Sequence, residues 1–408
     1  MHERPHSPLD LDLLLSAVEA APPLAAADVI ATALAEALDA REVSFLIADY
    51  SGRSLIRLSH VAHRQGRGAA SRERAEAVAL IGSPHGRALV EQCVQVVAEE
   101  GGSRVLAPVT SRGEAVGVLE LALDDEPGAE TLADIARTAH ALAYIVIANR
   151  RFTDLYEWGQ RSVPLSLEAE IQHRLLPGSY TCEAGQFTLA GWLEPAGDVG
   201  GDTFDFSVDR DTLHLSMTDA MGHTLEAALL ATVLVGALRN TRRRAVGLAE
   251  QARIADVALR GYATDLAFVT GQLVRVDLRS GIARIVNAGH HPPIRVRDGR
   301  CEDVALLADP PFGLLGERGY REQELELLAD DRLVFVTDGI LERNASAVDA
   351  YSVLLDTRHL HPREAVQELT RAVVEACGGV LRDDATVLCF DWHGGPKRDR
   401  DASEGADR

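Results

Sequence analysis

Thr212-Leu-His-Leu-Ser-Met-Thr-Asp-Ala-Met-Gly-His223 runs directly into Thr224-Leu-Glu-Ala-Ala-Leu-Leu-Ala-Thr-Val-Leu-Val-Gly-Ala-Leu238. The first part reads as a strand whose apolar stretch, 213–218, abuts Asp219. The second reads as a long helix over about 224–240, and its apolar character on all sides predicts burial under a sheet. Outward from this junction, strands are predicted over 187–192, 203–208, 266–277, 282–287, 294–297, 301–307, 323–328, 332–337 and 385–392. Helices are predicted over 246–261 and 363–377. Antiparallel strands joined by hairpins, with helices grouped apart from them, define an α+β fold: an α-β-β-α sandwich of two antiparallel sheets flanked by helices.

The rest of the 408-residue chain is long enough for a second domain. Residues 1–20 form a lead-in of loose or short helical character. In 21–130, helical spacing from Leu24 to Leu38 gives way to a strand at Val43, Phe45 and Ile47, and 104–109 and 115–122 form a hairpin around Ser111-Arg-Gly-Glu114. Over 131–178 a helix starts at Thr131-Leu-Ala-Asp134. Its stripe of Leu132, Ile135, Ala139, Leu142, Ile145, Ala148, Phe152 and Leu155 fits either a coiled-coil seam or a face packed on the preceding domain. A second helix follows and stops at Pro177-Gly178. We expect this segment to be a connector that pairs two chains into a homodimer. The sandwich occupies 179–393, and 394–408 is a polar, glycine-rich tail expected to be disordered.

Acidic residues outnumber basic ones 62 to 41, for a net charge of −21. That surplus argues against nucleic acid or anionic lipid as a general partner. The longest uncharged apolar run, 227–238, is well short of the roughly 20 residues a bilayer requires, and the N-terminus lacks a cleavage-like pattern. Five scattered cysteines provide neither a disulfide framework nor zinc spacing. The expected location is the cytoplasm, with no membrane partner.

Four acidic clusters sit where strands meet turns: Gly200-Gly-Asp202, Thr218-Asp-Ala-Met-Gly-His223, Val336-Thr-Asp-Gly-Ile-Leu-Glu342 and Arg382-Asp-Asp-Ala-Thr386. A lone Asp-Gly at a strand end is a turn. Four such ends in one domain bring carboxylates together, and gathered carboxylates repel one another and resist desolvation unless a cation compensates. An all-oxygen donor set suits Mg²⁺ or Mn²⁺. His290-His291 reads as part of a tight turn, and Arg242-Arg-Arg244 as a solvated helix end.

In this order, the four motifs resemble the PPM-type metal-dependent protein serine/threonine phosphatases, in their bacterial SpoIIE/RsbU branch. Leu175-Leu-Pro177, Asn287-Ala-Gly-His-His-Pro292 and Pro311-Phe-Gly-Leu-Leu315 agree. The resemblance implies two Mn²⁺ or Mg²⁺ ions, with Asp219 bridging them and the Ala220 carbonyl beside it. It implies Asp338 and Asp383 as further ligands, and Asp202 in contact directly or through water. Either acid of the run Asp383-Asp384 can be the ligand, with Asp383 preferred and Asp384 a hydrogen-bonding neighbour behind it. Asp205 and His223 are candidates to support the ligands from behind, Asp205 alternatively structural and His223 a cap or turn residue. Met221 stands where many relatives carry a histidine. Residues 24–125 resemble a GAF sensor domain, which implies a small-molecule ligand. The function implied is hydrolysis of phosphoserine or phosphothreonine on a partner protein, a STAS-domain anti-sigma-factor antagonist. The rival readings are a catalytically silent sensor and scaffold, and a hydrolase of small phosphoesters.

Overall fold

Asp10 sets the first helix. Its carboxylate accepts the backbone N–H groups of Asp12 at 2.9 Å and Leu13 at 3.4 Å, satisfying two amides that a helix start leaves free. The computed structural model describes residues 10–62, 66–67, 76–161, 165–196, 200–222, 225–262, 267–314, 318–343, 348–395, 402–403 and 406–407. The chain divides into two units, Met1–Pro164 with Asp401–Arg408, and Leu165–Arg400.

The first unit contains α1 (Leu11–Ala20), α2 (Ala26–Leu38), β1 (Glu42–Ala48), β2 (Ser54–Ala62), β3 (Gly66–Arg67), β4 (Ala77–Ala79), α3 (Pro84–Glu91), β5 (Gln95–Glu99), β6 (Gly102–Ser111), β7 (Glu114–Leu123), α4 (Ala129–Asn149) and α5 (Leu155–Gly159). The strands form one antiparallel sheet in the order β3-β2-β1-β7-β6-β5, with β4 added to β2. Side chains alternate across it. Phe45 and Ile47 join Ile30 and Leu34 of α2 and Ile135 and Leu142 of α4 on one face, while Leu46, Leu106 and Val118 meet Leu89 of α3 on the other.

Within 131–178, α4 and α5 belong to the first unit and the helix starting at Leu167 to the second. The apolar stripe predicted as a pairing seam is already used: Ile135, Ala139, Leu142 and Ile145 are buried in the core of their own unit. The same three-and-four spacing serves both purposes, so spacing alone did not separate them. Among the described residues one helical stretch, Ala129–Phe152, is long and apolar enough by composition to span a bilayer, and half of its most apolar window is buried within the protein. The tail predicted to be disordered lies mostly outside the described residues.

On the α3 face, β7 carries a buried acid, Glu120. It accepts from Arg57 at 3.1 Å, from Arg104 at 2.8 Å, and pairs with His85 at 2.6 Å. Burial alone would raise its pKa; the His85 hydrogen bond and the two guanidinium groups overcome that and bring it down to about 2.

The second unit comprises α6 (Leu167–Leu175), β8 (Thr181–Glu183), β9 (Phe187–Glu194), β10 (Asp202–Val208), β11 (Thr212–Ala220), α7 (Leu225–Arg243), α8 (Leu248–Tyr262), β12 (Val269–Asp277), β13 (Ile282–Ala288), β14 (Ile294–Arg297), β15 (Arg300–Asp303), β16 (Gln323–Glu326), β17 (Asp331–Val336), a π-helical turn at Gly339–Arg343, α9 (Ala350–Asp356), α10 (Pro362–Ala376) and β18 (Ala385–Trp392). One sheet runs β10-β11-β12-β13-β16, the other β15-β14-β17-β18-β9-β8. Their inner faces share a core of Phe187, Phe204, Leu215, Phe335 and Phe390. Gly191 on β9 permits this approach, since a Cβ there would lie 2.4 Å from the Phe204 ring. Outside, α7 and α8 cover the first sheet through Leu230, Leu234 and Leu259, and α9 and α10 cover the second through Leu354, Leu369 and Val373. As expected, α7 is buried under a sheet; it is buried along one stripe and leaves Leu225 and Leu229 exposed.

Truncating Leu142 to Ala should cost about 2–5 kcal/mol in urea unfolding of the full chain; an effect confined to self-association by light scattering would contradict the packing described. Because the Glu120 pKa is depressed on folding, its contribution is present above the unfolded value near 4.5 and is lost as pH falls toward about 2. Urea midpoints measured between pH 5 and pH 3 should therefore fall for the native chain, and fall less for Glu120→Gln.

Candidate active site

Asp202 opens β10 and Asp219 is the penultimate residue of β11, and the antiparallel register sets them directly opposite each other. Residues so placed have Cβ atoms roughly 4.5–5.5 Å apart, where like charges destabilise. Asp202 is only 3% exposed. Its Oδ2 accepts two hydroxyls, from Thr337 and from Thr386, each at 2.7 Å. Those threonines are themselves linked: the Thr337 N–H donates to the Thr386 carbonyl at 3.1 Å, and the Thr386 N–H donates to Thr337 Oγ1 at 3.2 Å. Thr337 directly precedes Asp338 at the end of β17, and Thr386 lies just after Asp383-Asp384 in β18. One carboxylate thus fastens the first sheet to the second at the strand ends that carry the other predicted acids.

Asp384 is buried and fully engaged. Its Oδ1 accepts the Ala196 N–H at 3.0 Å, and its Oδ2 accepts the Gly201 N–H at 3.3 Å and Gln172 Nε2 at 2.5 Å. Asp383 is half-buried, and its Oδ1 accepts the Asp384 N–H at 3.0 Å. Asp219 and Asp338 are half-buried. Ala220 is buried, and its N–H donates to the Gly201 carbonyl at 3.3 Å. Met221 is exposed at the head of the turn.

The charges in this cluster work against one another. Burial, then Asp219 and Asp384, hold the Asp202 carboxyl well above the usual range, and the two threonine hydroxyls only partly offset them. Burial likewise raises Asp384, against the pull of its donors, and Asp383 adds to the rise. Each of these groups would be relieved by a nearby cation.

Asp205 stands apart from the cluster. It projects from the opposite face of β10 and is neutralised by Arg239, at 3.1 Å to each oxygen, and by Arg242 at 2.9 Å. Arg242, predicted to be a solvated helix end, is therefore tied down. His223 lies outside the described residues.

One residue at the site was read from sequence only as part of a turn. His290 is buried, with Nδ1 2.9 Å from Thr270 Oγ1 and Nε2 3.0 Å from the Val336 carbonyl. The carbonyl needs an N–H, so Nε2 carries the proton and Nδ1 accepts the Thr270 hydroxyl. Burial lowers the ring's pKa to about 4, which keeps it neutral. Thr270 is the cross-strand partner of Asp219, so His290 links β12, the neighbour of the strand bearing Asp219, to the end of β17, two residues before Asp338. The turn depends on Gly289, with φ +69° and Pro311 2.8 Å from where a Cβ would lie.

No three His, Cys, Asp or Glu side chains among the described residues are grouped closely enough to hold an ion as they stand. The donor chemistry nevertheless fits hard divalent cations: the acids are oxygen donors, partly or fully buried, and two of them face each other in register.

Residues 209–393 match the family model described as stage II sporulation protein E (SpoIIE). Over 214 residues the chain is 21% identical to phosphoserine phosphatase RsbP of Bacillus subtilis (strain 168), covering 51% of this chain and 52% of that protein, so it spans about half the length of this curated relative. Among solved structures, the PP2C phosphatase domain with a regulatory fragment of SpoIIE from Bacillus subtilis aligns with a TM-score of 0.45 at 19% identity, over 52% of this chain and 65% of that one. The RsbU and RsbW domains of Rv1364c from Mycobacterium tuberculosis align with a TM-score of 0.46 at 23% identity, over 52% and 63%.

Replacing Thr337 with Val should lower stability by about 1–3 kcal/mol in urea unfolding. The Thr337→Val, Thr386→Val pair should depart from additivity, because both hydroxyls serve one oxygen; strict additivity would argue against the shared bond.

Proposed function

We propose that Leu165–Arg400 is a divalent-cation-dependent protein serine/threonine phosphatase. The observation that carries this reading is the register pairing of Asp202 with Asp219, joined through Thr337 and Thr386 to the strand ends bearing Asp338 and Asp383. The match of 209–393 to the SpoIIE model and the likeness to a phosphoserine phosphatase support it.

In this reading Asp219, the Ala220 carbonyl, Asp338, Asp383 and Asp202 would hold two Mn²⁺ or Mg²⁺ ions. Bound there, the ions supply Lewis acidity and a nucleophilic water near neutral pH. The chain's own contribution is orientation. The threonine hydroxyls fix the rotamer of Asp202, so that its Oδ1 is the oxygen left to face a cation. Asp384, held by two backbone amides and Gln172, fixes the turn that presents Asp383. Met221 has no proton to give a leaving alkoxide, so protonation falls to another group or to water.

The substrate is phosphoserine or phosphothreonine on a partner protein, within the same reading a STAS-domain anti-sigma-factor antagonist. The first unit is a GAF-like sensor for a small molecule, a role supported by its antiparallel sheet with helices on both faces. A cytoplasmic homodimer completes the proposal. The rival reading is a scaffold that binds a partner without turnover, since no three acids among the described residues are grouped as a ready-made cation site.

Hydrolysis of p-nitrophenyl phosphate and of a phosphoserine peptide, with Mn²⁺ and with EDTA, separates the two. The phosphatase reading expects metal-dependent turnover that falls at least a hundredfold in Asp219→Asn. Absence of turnover together with absence of calorimetric Mn²⁺ binding would establish the scaffold instead.

A further inference from the structure

α6 is the first element of the second unit, and its most deeply buried side chain is a polar one. Gln172 is 2% exposed, in a position where an apolar residue would be the cheaper choice. Its amide protons have two destinations: Nε2 donates to the Asp202 carbonyl at 2.9 Å and to Asp384 Oδ2 at 2.5 Å. Asp202 begins a strand of one sheet, while Asp384 immediately precedes a strand of the other and follows Asp383. A single side-chain nitrogen therefore spans the two sheets at the acidic cluster.

The helix bearing it is fixed along its length. Ser166 caps its first turn by accepting the Ala169 N–H at 3.1 Å. Its backbone passes so near Gly200 that a Cβ there would lie 2.8 Å from the Glu168 carbonyl. At its far end, Arg239 donates to the Leu175 carbonyl at 2.6 Å, the same guanidinium that holds Asp205. Such anchoring is more than a helix of nine residues needs for burial, and it delivers the amide of Gln172 to one place.

We propose that Gln172 is a positioning residue for the divalent-cation site: it sets the separation between the strand ends carrying Asp202 and Asp383, and so the affinity of the site for metal. This rests on the phosphatase reading. Removing a hydrogen-bonding partner from behind a metal ligand characteristically costs roughly 10–100-fold in metal affinity.

The test uses the full chain as wild type, Gln172→Met, Gln172→Ala, and Arg174→Ala as an exposed control on the same helix. Mn²⁺ affinity is measured by calorimetry, melting temperature in EDTA, and p-nitrophenyl phosphate turnover as a function of Mn²⁺. Gln172→Met keeps the length and apolar stem of the side chain, and it remains informative if Gln172→Ala fails to fold. The expected result is Mn²⁺ binding weakened about tenfold or more in both Gln172 variants and unchanged in Arg174→Ala, with kcat recovered at saturating Mn²⁺. Unchanged affinity in Gln172→Met would overturn the proposal, as would a lowered melting temperature in EDTA with affinity intact, which is the signature of a purely structural residue. A wild-type chain that binds no Mn²⁺ would instead overturn the underlying phosphatase reading, so the two failures are distinguishable.

Discussion

One oxygen atom, Oδ2 of Asp202, accepts hydroxyls from both Thr337 and Thr386 and so joins two sheets that elsewhere meet through aromatic and aliphatic packing. At the acidic end of the sandwich that apolar packing gives way to polar contacts. The bond requires an acceptor, which favours the ionised acid, whereas burial and the neighbouring Asp219 and Asp384 favour the neutral form. The fold thus holds a carboxylate in an environment that opposes its charge, and a positive ion is the natural resolution. The join between the sheets and the proposed cation site depend on the same few atoms there.

The contrast with Asp205 makes the point sharper. It lies on the same strand as Asp202 but faces α7, where Arg239 and Arg242 neutralise it completely. One carboxylate of the strand is spent on attaching a helix, and the other is left in want of a cation. The sign of the environment separates an acid spent on structure from one left facing like charge, although the two residues are identical in chemistry.

Much of this arrangement can be read from the sequence. The strand leading to Asp219 and the one ending at Thr337 announce themselves by apolar runs abutting aspartates, and β18 coincides with its predicted span, 385–392. The meeting of Asp202 and Asp219 follows from a hairpin between neighbouring strands, so local pattern suffices. Gln172 could not be found that way. Its partners lie 30 and 212 positions away, and a glutamine on a short helix carries no sign of burial. His290 was legible as a turn but not as a link, because its acceptor, Val336, is 46 positions distant. The stripe on α4 was visible yet ambiguous, since a seam between chains and a face within one chain impose the same spacing.

The division of the chain between Pro164 and Leu165, ahead of α6 rather than after Pro177, bears on how such proteins are assembled in evolution. A recombination joint at that point leaves α6, with its amide seated between the two sheets, in the inheritance of the C-terminal unit. Different N-terminal units joined there would all meet the same short helix already attached to the acidic cluster. Variation in the N-terminal unit then leaves the acidic cluster undisturbed, because the part that must fit both sheets never changes hands.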